Sequence, residues 1–188
     1  MEQTHDSDPK VSATVILDQI ALMRKLYGVA TVQHAIDALP PHLENEIAEL
    51  LPGRWCSLDA PRELKAAVAQ QVGADVLSLQ RMMVRAGIEQ TLSTLWRFVL
   101  RQLGDEGLVR RTPVVYSRTF NRGSLELTAI GDCECDFELR EWPRIPEYEL
   151  VGLMTGIETV LTLAGRMQAQ VTSTRRAAVV KLHATWSR

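Results

Sequence analysis

The alternation of residue types between positions 133 and 140 constrains the fold of this chain more than any other pattern in its sequence. Apolar residues are separated by charged ones at every second position: Cys133, Cys135, Phe137 and Leu139 against Glu134, Asp136, Glu138 and Arg140. Successive side chains of a strand point to opposite faces of a sheet, so the pattern predicts a strand with one buried face and one solvated, charged face. A similar alternation of Leu125, Leu127 and Ala129 precedes the turn residues Ile130-Gly131-Asp132, which indicates a β-hairpin.

The rest of the chain divides into a helical half and a sheet half. Ahead of Gly104, apolar residues recur at helical spacing and predict helices over 11–28, 31–39, 42–51, 59–73 and 75–103, with Gly87 as a candidate break in the last. A further helix is predicted over 147–164, followed by two strands that contain Met167–Val171 and Val180–Trp186. The sequence therefore predicts an α+β fold, in which an N-terminal helical half (11–105) packs on an antiparallel sheet of β-β-α-β-β order (115–188). We expect one domain over 11–188, preceded by a disordered tail at 1–10.

Charge and composition narrow the range of partners. The chain has 188 residues and a formal net charge of -2, which supplies no positive field for nucleic acid or an anionic membrane. No apolar run approaches the roughly 18 residues that a membrane-spanning helix needs. The polar, acidic start of the chain lacks the features of a signal peptide, and its 3 cysteines show no disulfide spacing. We therefore expect a cytoplasmic protein that binds neither nucleic acid nor membrane.

Sequence motifs for catalysis and for metal binding are missing. The chain has no Gly-x-Ser-x-Gly elbow and neither of the common glycine-rich phosphate loops. Cys133 and Cys135 would share a strand face, but a structural zinc site needs four ligands and no second Cys or His pair follows. We interpret both cysteines as small buried hydrophobic residues. The expectation is a protein without catalytic residues, metal or cofactor, which is not an enzyme.

Several short stretches, taken in their order along the chain, resemble a known group of proteins. They are Leu39-Pro40-Pro41, Leu51–Trp55, Leu95–Leu100, Gly107–Pro113, Gly123–Leu127 and Glu141-Trp142-Pro143. Together with the hairpin and the helix after it, they resemble a family of uncharacterised proteins expanded in myxobacteria. The fold of that family is related to heme-NO-binding domains, to 4-vinyl-reductase-type domains and to trafficking subunits of the same architecture. The resemblance spans about Val11 to Trp186 and implies a module that senses small molecules or contacts proteins.

The resemblance makes heme the sharpest alternative ligand. The heme-binding relatives use a helix histidine as axial ligand and a Tyr-x-Ser-x-Arg motif for the propionates. Here Tyr116-Ser117-Arg118 has the residue types without the spacing, and no histidine falls in the helix that should supply the ligand. The four histidines are His5, His34, His42 and His183, and we expect His42 and His183 at the solvated surface. The sequence therefore favours a module without heme.

A ligand pocket is predicted between the apolar face of the sheet and its helical cover, because related folds often have one there. The residues expected to line it are Met82, Met83, Trp96, Phe98, Tyr116, Leu127, Cys135, Phe137 and Leu182. Methionine and tryptophan suit a mostly apolar cavity, although the same residues could simply fill a core. The first helix also has more apolar residues than one contact needs, which favours a partner surface or a homodimer.

The function expected from the sequence is that of a non-catalytic bacterial sensory or adaptor module. It would bind a small apolar ligand, a regulatory protein partner, or both. The alternatives are a heme-based gas sensor and an enzyme of unknown reaction.

Overall fold

The computed structural model describes residues 8–92, 100 and 102–188. Its elements are, in chain order, β1 (Lys10–Ser12), α1 (Ala13–Tyr27), α2 (Val29–Asp37), α3 (Pro41–Ala48), β2 (Trp55–Ser57), α4 (Asp59–Val72), α5 (Val76–Thr91), α6 (Asp105–Val109), α7 (Thr112–Thr119), β3 (Ser124–Gly131), β4 (Glu134–Arg140), α8 (Glu147–Leu163), β5 (Met167–Arg175) and β6 (Val179–Ser187). The predicted α+β fold is confirmed, with the helices ahead of residue 120 and the β-β-α-β-β order after it.

The main sheet is antiparallel, with the strand order β3-β4-β6-β5. Two hairpins, β3-β4 and β5-β6, join through the central pair β4-β6, in which Phe137 lies opposite Leu182 and Cys135 opposite Ala184. The face turned to the helices is apolar and buried, and it carries Leu125, Cys135, Phe137, Leu139, Val171, Val180, Leu182, Ala184 and Trp186. The alternation read from the sequence thus gives the correct inner face for β4 and β6.

The first hairpin departs from perfect alternation at two points. The register shifts between Leu127 and Ala129, so Ala129 and Ile130 are exposed rather than continuing the buried row. Cys133 has a positive φ of 60° and lies in the turn, so β4 begins one residue later than the alternation predicts. The expectation that Cys133 and Cys135 share a strand face is therefore wrong.

Helix α8 connects the hairpins and packs against both β5 and α5. Its C-terminus closes at Gly165, which has a φ of 87°: the Gly165 N–H bonds the Thr162 carbonyl and the Arg166 N–H bonds the Leu161 carbonyl. This pair of bonds is the Schellman arrangement that a C-terminal glycine permits. The two glycines inside α8 face α5 and not the sheet, because a Cβ at Gly152 would meet Gln80 and one at Gly156 would meet Val84 and Ile88.

The helical half contains the predicted helices, but their first and last residues differ from the predicted ones. Helix α5 contains Gly87 without a break and ends at Thr91, where Leu92 leaves helical geometry with a ψ of 88°. Most of the remaining predicted helix, up to Leu103, lies outside the described residues. The short elements α6, α7, β1 and β2 were not predicted, and β1 pairs with β2 through Val11 and Cys56. Among the described residues, no helix is both long and apolar enough to cross a membrane.

Candidate functional site

The residues predicted to line a pocket fall into three groups in the structure. Met83, Cys135, Phe137 and Leu182 all belong to the buried core, where Phe137 and Leu182 are fully inaccessible neighbours on β4 and β6. Met82 lies on the outer side of α5, 40% exposed, with its sulfur 3.9 Å from the Tyr27 hydroxyl. Trp96 and Phe98 lie outside the described residues. The structure therefore brings the sheet residues together, and places Met82 away from them.

Tyr116 and Leu127 occupy different surroundings. Tyr116 is buried in α7, and its hydroxyl donates a hydrogen bond of 2.6 Å to the Arg122 carbonyl oxygen. Burial raises the pKa of that hydroxyl well above its ordinary value. Leu127 is half-buried in the edge strand β3, where it lines a surface groove of about 390 Å³ with Glu106, Arg110, Thr128, Ala129 and Ile130. A second groove, of about 220 Å³, lies between α5, α8 and β5.

The described histidines do not form a heme site. His34 on α2, His42 on α3 and His183 on β6 are all exposed, and the Nδ1 atom of His183 lies 2.7 Å from an Asp136 carboxylate oxygen on the solvated face of the sheet. His5 lies outside the described residues. The sequence of 93–101, Ser-Thr-Leu-Trp-Arg-Phe-Val-Leu-Arg, contains no histidine, cysteine, tyrosine or methionine that could ligate an iron from there.

Other heme-ligating side chains are present, but their placement does not fit. Cys56 and Cys135 are packed in the apolar core, 3% and 1% exposed, and burial raises the pKa of both thiols. The Tyr116-Ser117-Arg118 residues do not converge either: Ser117 and Arg118 are exposed, and the Ser117 hydroxyl donates to the Val114 carbonyl. The residues that the structure describes therefore do not fit a heme group.

The outer face of the sheet carries the charges that the alternation predicted. Lys181 and Glu138 pair at 3.1 Å, and the Arg140 guanidinium lies 3.0 Å from Glu126. In each of these ion pairs at least one side chain is exposed to solvent. Ion pairs of this kind contribute little to stability. The face is the solvated surface that the sequence indicated, and it has no feature of an acid–base site.

A buried polar cluster between α4 and the first turn of α8 was not predicted from the sequence. Lys65 is 2% exposed and Glu149 is 4% exposed. The Lys65 Nζ atom lies 5.3 Å from the centre of the Tyr148 ring, within the range of a cation–π contact. The Tyr148 hydroxyl and the Glu149 Oε2 atom have no hydrogen-bond partner among the described residues. The signal in the sequence was the position of Lys65, which directly follows the buried Leu64 and precedes Val68 by one helical turn.

Burial moves both charges of this cluster toward their neutral forms. Desolvation lowers the pKa of Lys65 to about 7, against the opposing effect of the Glu149 charge. Desolvation likewise raises the pKa of Glu149 to about 7, opposed by a bond from its own backbone N–H and by the Lys65 charge. The Lys65 charge also acts on Cys56, on β2. Burial is the largest cause of the raised pKa of the Cys56 thiol, the Glu46 charge raises that pKa further and the Lys65 charge lowers it.

Comparison with known proteins identifies the architecture. No family model and no curated protein matches the chain. Solved structures of H-NOX domains do match it. An unliganded Fe(II) H-NOX protein from K. algicida matches over 94% of this chain and 97% of that chain, with a TM-score of 0.66 and 8% identity. A mutant of the H-NOX from T. tengcongensis matches with a TM-score of 0.60 and 18% identity, over 98% of that chain.

A third similar structure is an oxygen-binding H-NOX domain related to soluble guanylate cyclases, with a TM-score of 0.59, 17% identity and 95% of that chain covered. At these identities the likeness concerns the backbone and not the site. It agrees with the heme-NO-binding architecture that the sequence resembles. The chain therefore has an H-NOX-like fold.

Proposed function

We propose that this chain is a non-catalytic sensory or adaptor module that uses an H-NOX-like fold without heme. The observation that carries the proposal is a mismatch between architecture and side chains. The fold follows H-NOX domains over 94% of the chain, while each described histidine is exposed and the Tyr116, Ser117 and Arg118 side chains do not converge. A heme-binding relative needs an axial ligand in the interior.

The input of such a module is a small apolar ligand, a regulatory protein partner, or both. The ligand would lie against the sheet residues Cys135, Phe137 and Leu182. Those sheet residues are buried and apolar, which suits a ligand without charge. A homodimer, a cytoplasmic location and membership of the myxobacterial family, with its relation to 4-vinyl-reductase-type domains, are part of the same proposal.

Native mass spectrometry of the protein purified from its own host, with an absorbance spectrum of the same sample, tests this function. The expected result is a spectrum without a Soret band and a mass that shows either a retained apolar molecule or a stable protein complex. Ligand candidates recovered in this way should raise the melting temperature as their concentration increases. A stoichiometric heme would replace the proposal by the heme-based gas sensor.

A further inference from the structure

Helix α4 reaches the first turn of α8 through the Lys65 side chain, and the two charged residues at this α4–α8 contact, Lys65 and Glu149, are buried without the contacts that normally accompany burial. Lys65 extends from the middle of α4 to Tyr148, and Glu149 is the next residue of α8. In the described part of the chain, no carboxylate oxygen lies within ion-pair distance of the Lys65 Nζ atom. A buried pair is favourable only when good geometry and further hydrogen bonds offset the loss of water. Here the Glu149 carboxylate has a bond from its own backbone N–H, while its Oε2 atom has no partner among the described residues.

We propose that Lys65 and Glu149 form a proton-binding site that sets how firmly the first turn of α8 is held against α4. This goes beyond the proposed function, because protons themselves become an input, whether or not a second ligand binds. The output is local: when the contact opens, both side chains regain water.

The neighbouring groups leave Lys65 and Glu149 as the pair that responds near neutral pH. On α4, Arg62 and Asp59 act on Glu149 in opposite directions and form an exposed ion pair of 2.7 Å with each other. On α3, Glu46 accepts hydrogen bonds from the backbone N–H and the hydroxyl of Ser57. The thiol of Cys56 and the hydroxyl of Tyr148 both have their pKa raised by burial, to about 11 for the thiol and higher for the hydroxyl. Buried polar residues on α1 and α5, Gln19 and Gln80, carry no charge.

The direction of the pH effect follows from the two shifts. The folded-state pKa of Glu149 rises from 4.5 to about 7, so the folded state binds more protons in that window and stability falls as pH rises through it. The folded-state pKa of Lys65 falls from 10.5 to about 7, so the unfolded or opened state binds more protons above 7 and stability rises with pH. The α4–α8 contact is therefore weakest near pH 7 and firmer on both sides of it.

Hydrogen exchange followed by mass spectrometry, at pH 5, 7 and 9, tests this site. Exchange rates in α4 and in the first two turns of α8 are corrected for the intrinsic pH dependence of exchange. We expect the opening equilibrium constant to be about tenfold larger at pH 7 than at pH 5 or pH 9. A flat profile, or an opening constant that is smallest at pH 7, would overturn the proposal.

Single variants separate the two halves of the profile. With Lys65→Met only the Glu149 effect remains, so opening should increase from pH 5 to pH 7 and stay high at pH 9. With Glu149→Gln only the Lys65 effect remains, so opening should be high at pH 5 and pH 7 and decrease at pH 9. The matched controls are Lys25→Met and Glu49→Gln, both on exposed positions, and they should keep the maximum at pH 7. If Lys65→Met or Glu149→Gln also kept the maximum of the opening constant at pH 7, the proton-binding site would not be formed by Lys65 and Glu149. Heme or ligand binding does not enter this readout, so failure here leaves the proposed function to its own test.

Discussion

Two lysine–glutamate pairs of this molecule have the same chemistry and opposite surroundings. Lys181 and Glu138 lie side by side on the outer face of the sheet, 3.1 Å apart, and the neighbouring cations lower the pKa of Glu138. Lys65 and Glu149 lie inside the α4–α8 contact, and burial moves the pKa of each toward neutrality. Solvent, and not the residue type, decides whether such a pair is inert or responsive at physiological pH.

Removing the buried pair altogether should have the largest effect on stability. The double variant Lys65→Met, Glu149→Leu should raise the free energy of unfolding at pH 7 by about 2 kcal/mol, because two poorly compensated charges give way to apolar packing. Urea denaturation measures the change. The equivalent double variant on the sheet face, Lys181→Met with Glu138→Leu, is the control and should not stabilise the protein. A clear loss of stability in the buried double variant would show that the pair is well compensated after all.

The two pairs also differ in how well the sequence predicts them: the charged face of the sheet could be predicted, and the buried pair could not. Alternation in β4 and β6 predicted both the buried row and the charged face, because each strand repeats every second residue. The same reasoning missed Lys65, which is buried beside Leu64 although a lysine on a helix is expected at the surface. It missed Glu149 too, whose neighbours Tyr148, Leu150 and Val151 are all buried. A helix buried on most sides has no polar stripe to reveal which charges face inward.

The shortest elements were missed for a different reason. Strands β1 and β2 have three residues each, too few for alternation to be seen. They form by pairing with each other, and Val11 of β1 also bridges to Phe120. Helices α6 and α7 are likewise too short for a helical period to be read, and tertiary contacts stabilise helices of this length. The bulge beyond Leu127 depends on strand pairing, which single-strand patterns do not contain.

A second prediction uses Cys56 as a reporter of the buried pair. Cys56 is 3% exposed and its thiol is influenced by the Lys65 charge, so we expect its labelling rate to report opening of the structure around Lys65. At pH 7 the buried double variant should lower the labelling rate of Cys56 roughly tenfold, in line with its lower opening constant. Cys133, which is partly exposed in the hairpin turn, should be labelled at an unchanged rate. Equal slowing at both thiols would mean a global effect and not a local one.

A third and smaller prediction concerns the pair on the outer face of the sheet, in which the Lys181 side chain is 45% exposed and the Glu138 side chain 15%. Glu138→Gln should cause a slight destabilisation at pH 7 that disappears in high salt, because exposed ion pairs are screened. The depressed pKa of Glu138 means that this contribution is present at neutral pH and is lost as pH falls through the acidic range. Urea denaturation at low and high salt measures it. The buried pair should show little response to salt, so a similar salt dependence for both would remove the distinction between them.

We propose that this H-NOX-like module works without heme, and a titration of the purified protein with hemin tests this most directly. We expect no saturable Soret band, and the same result for the variant His5→Ala, His34→Ala, His42→Ala, His183→Ala. Saturation at one heme per chain, lost when a single histidine is replaced, would contradict the account and identify the axial ligand.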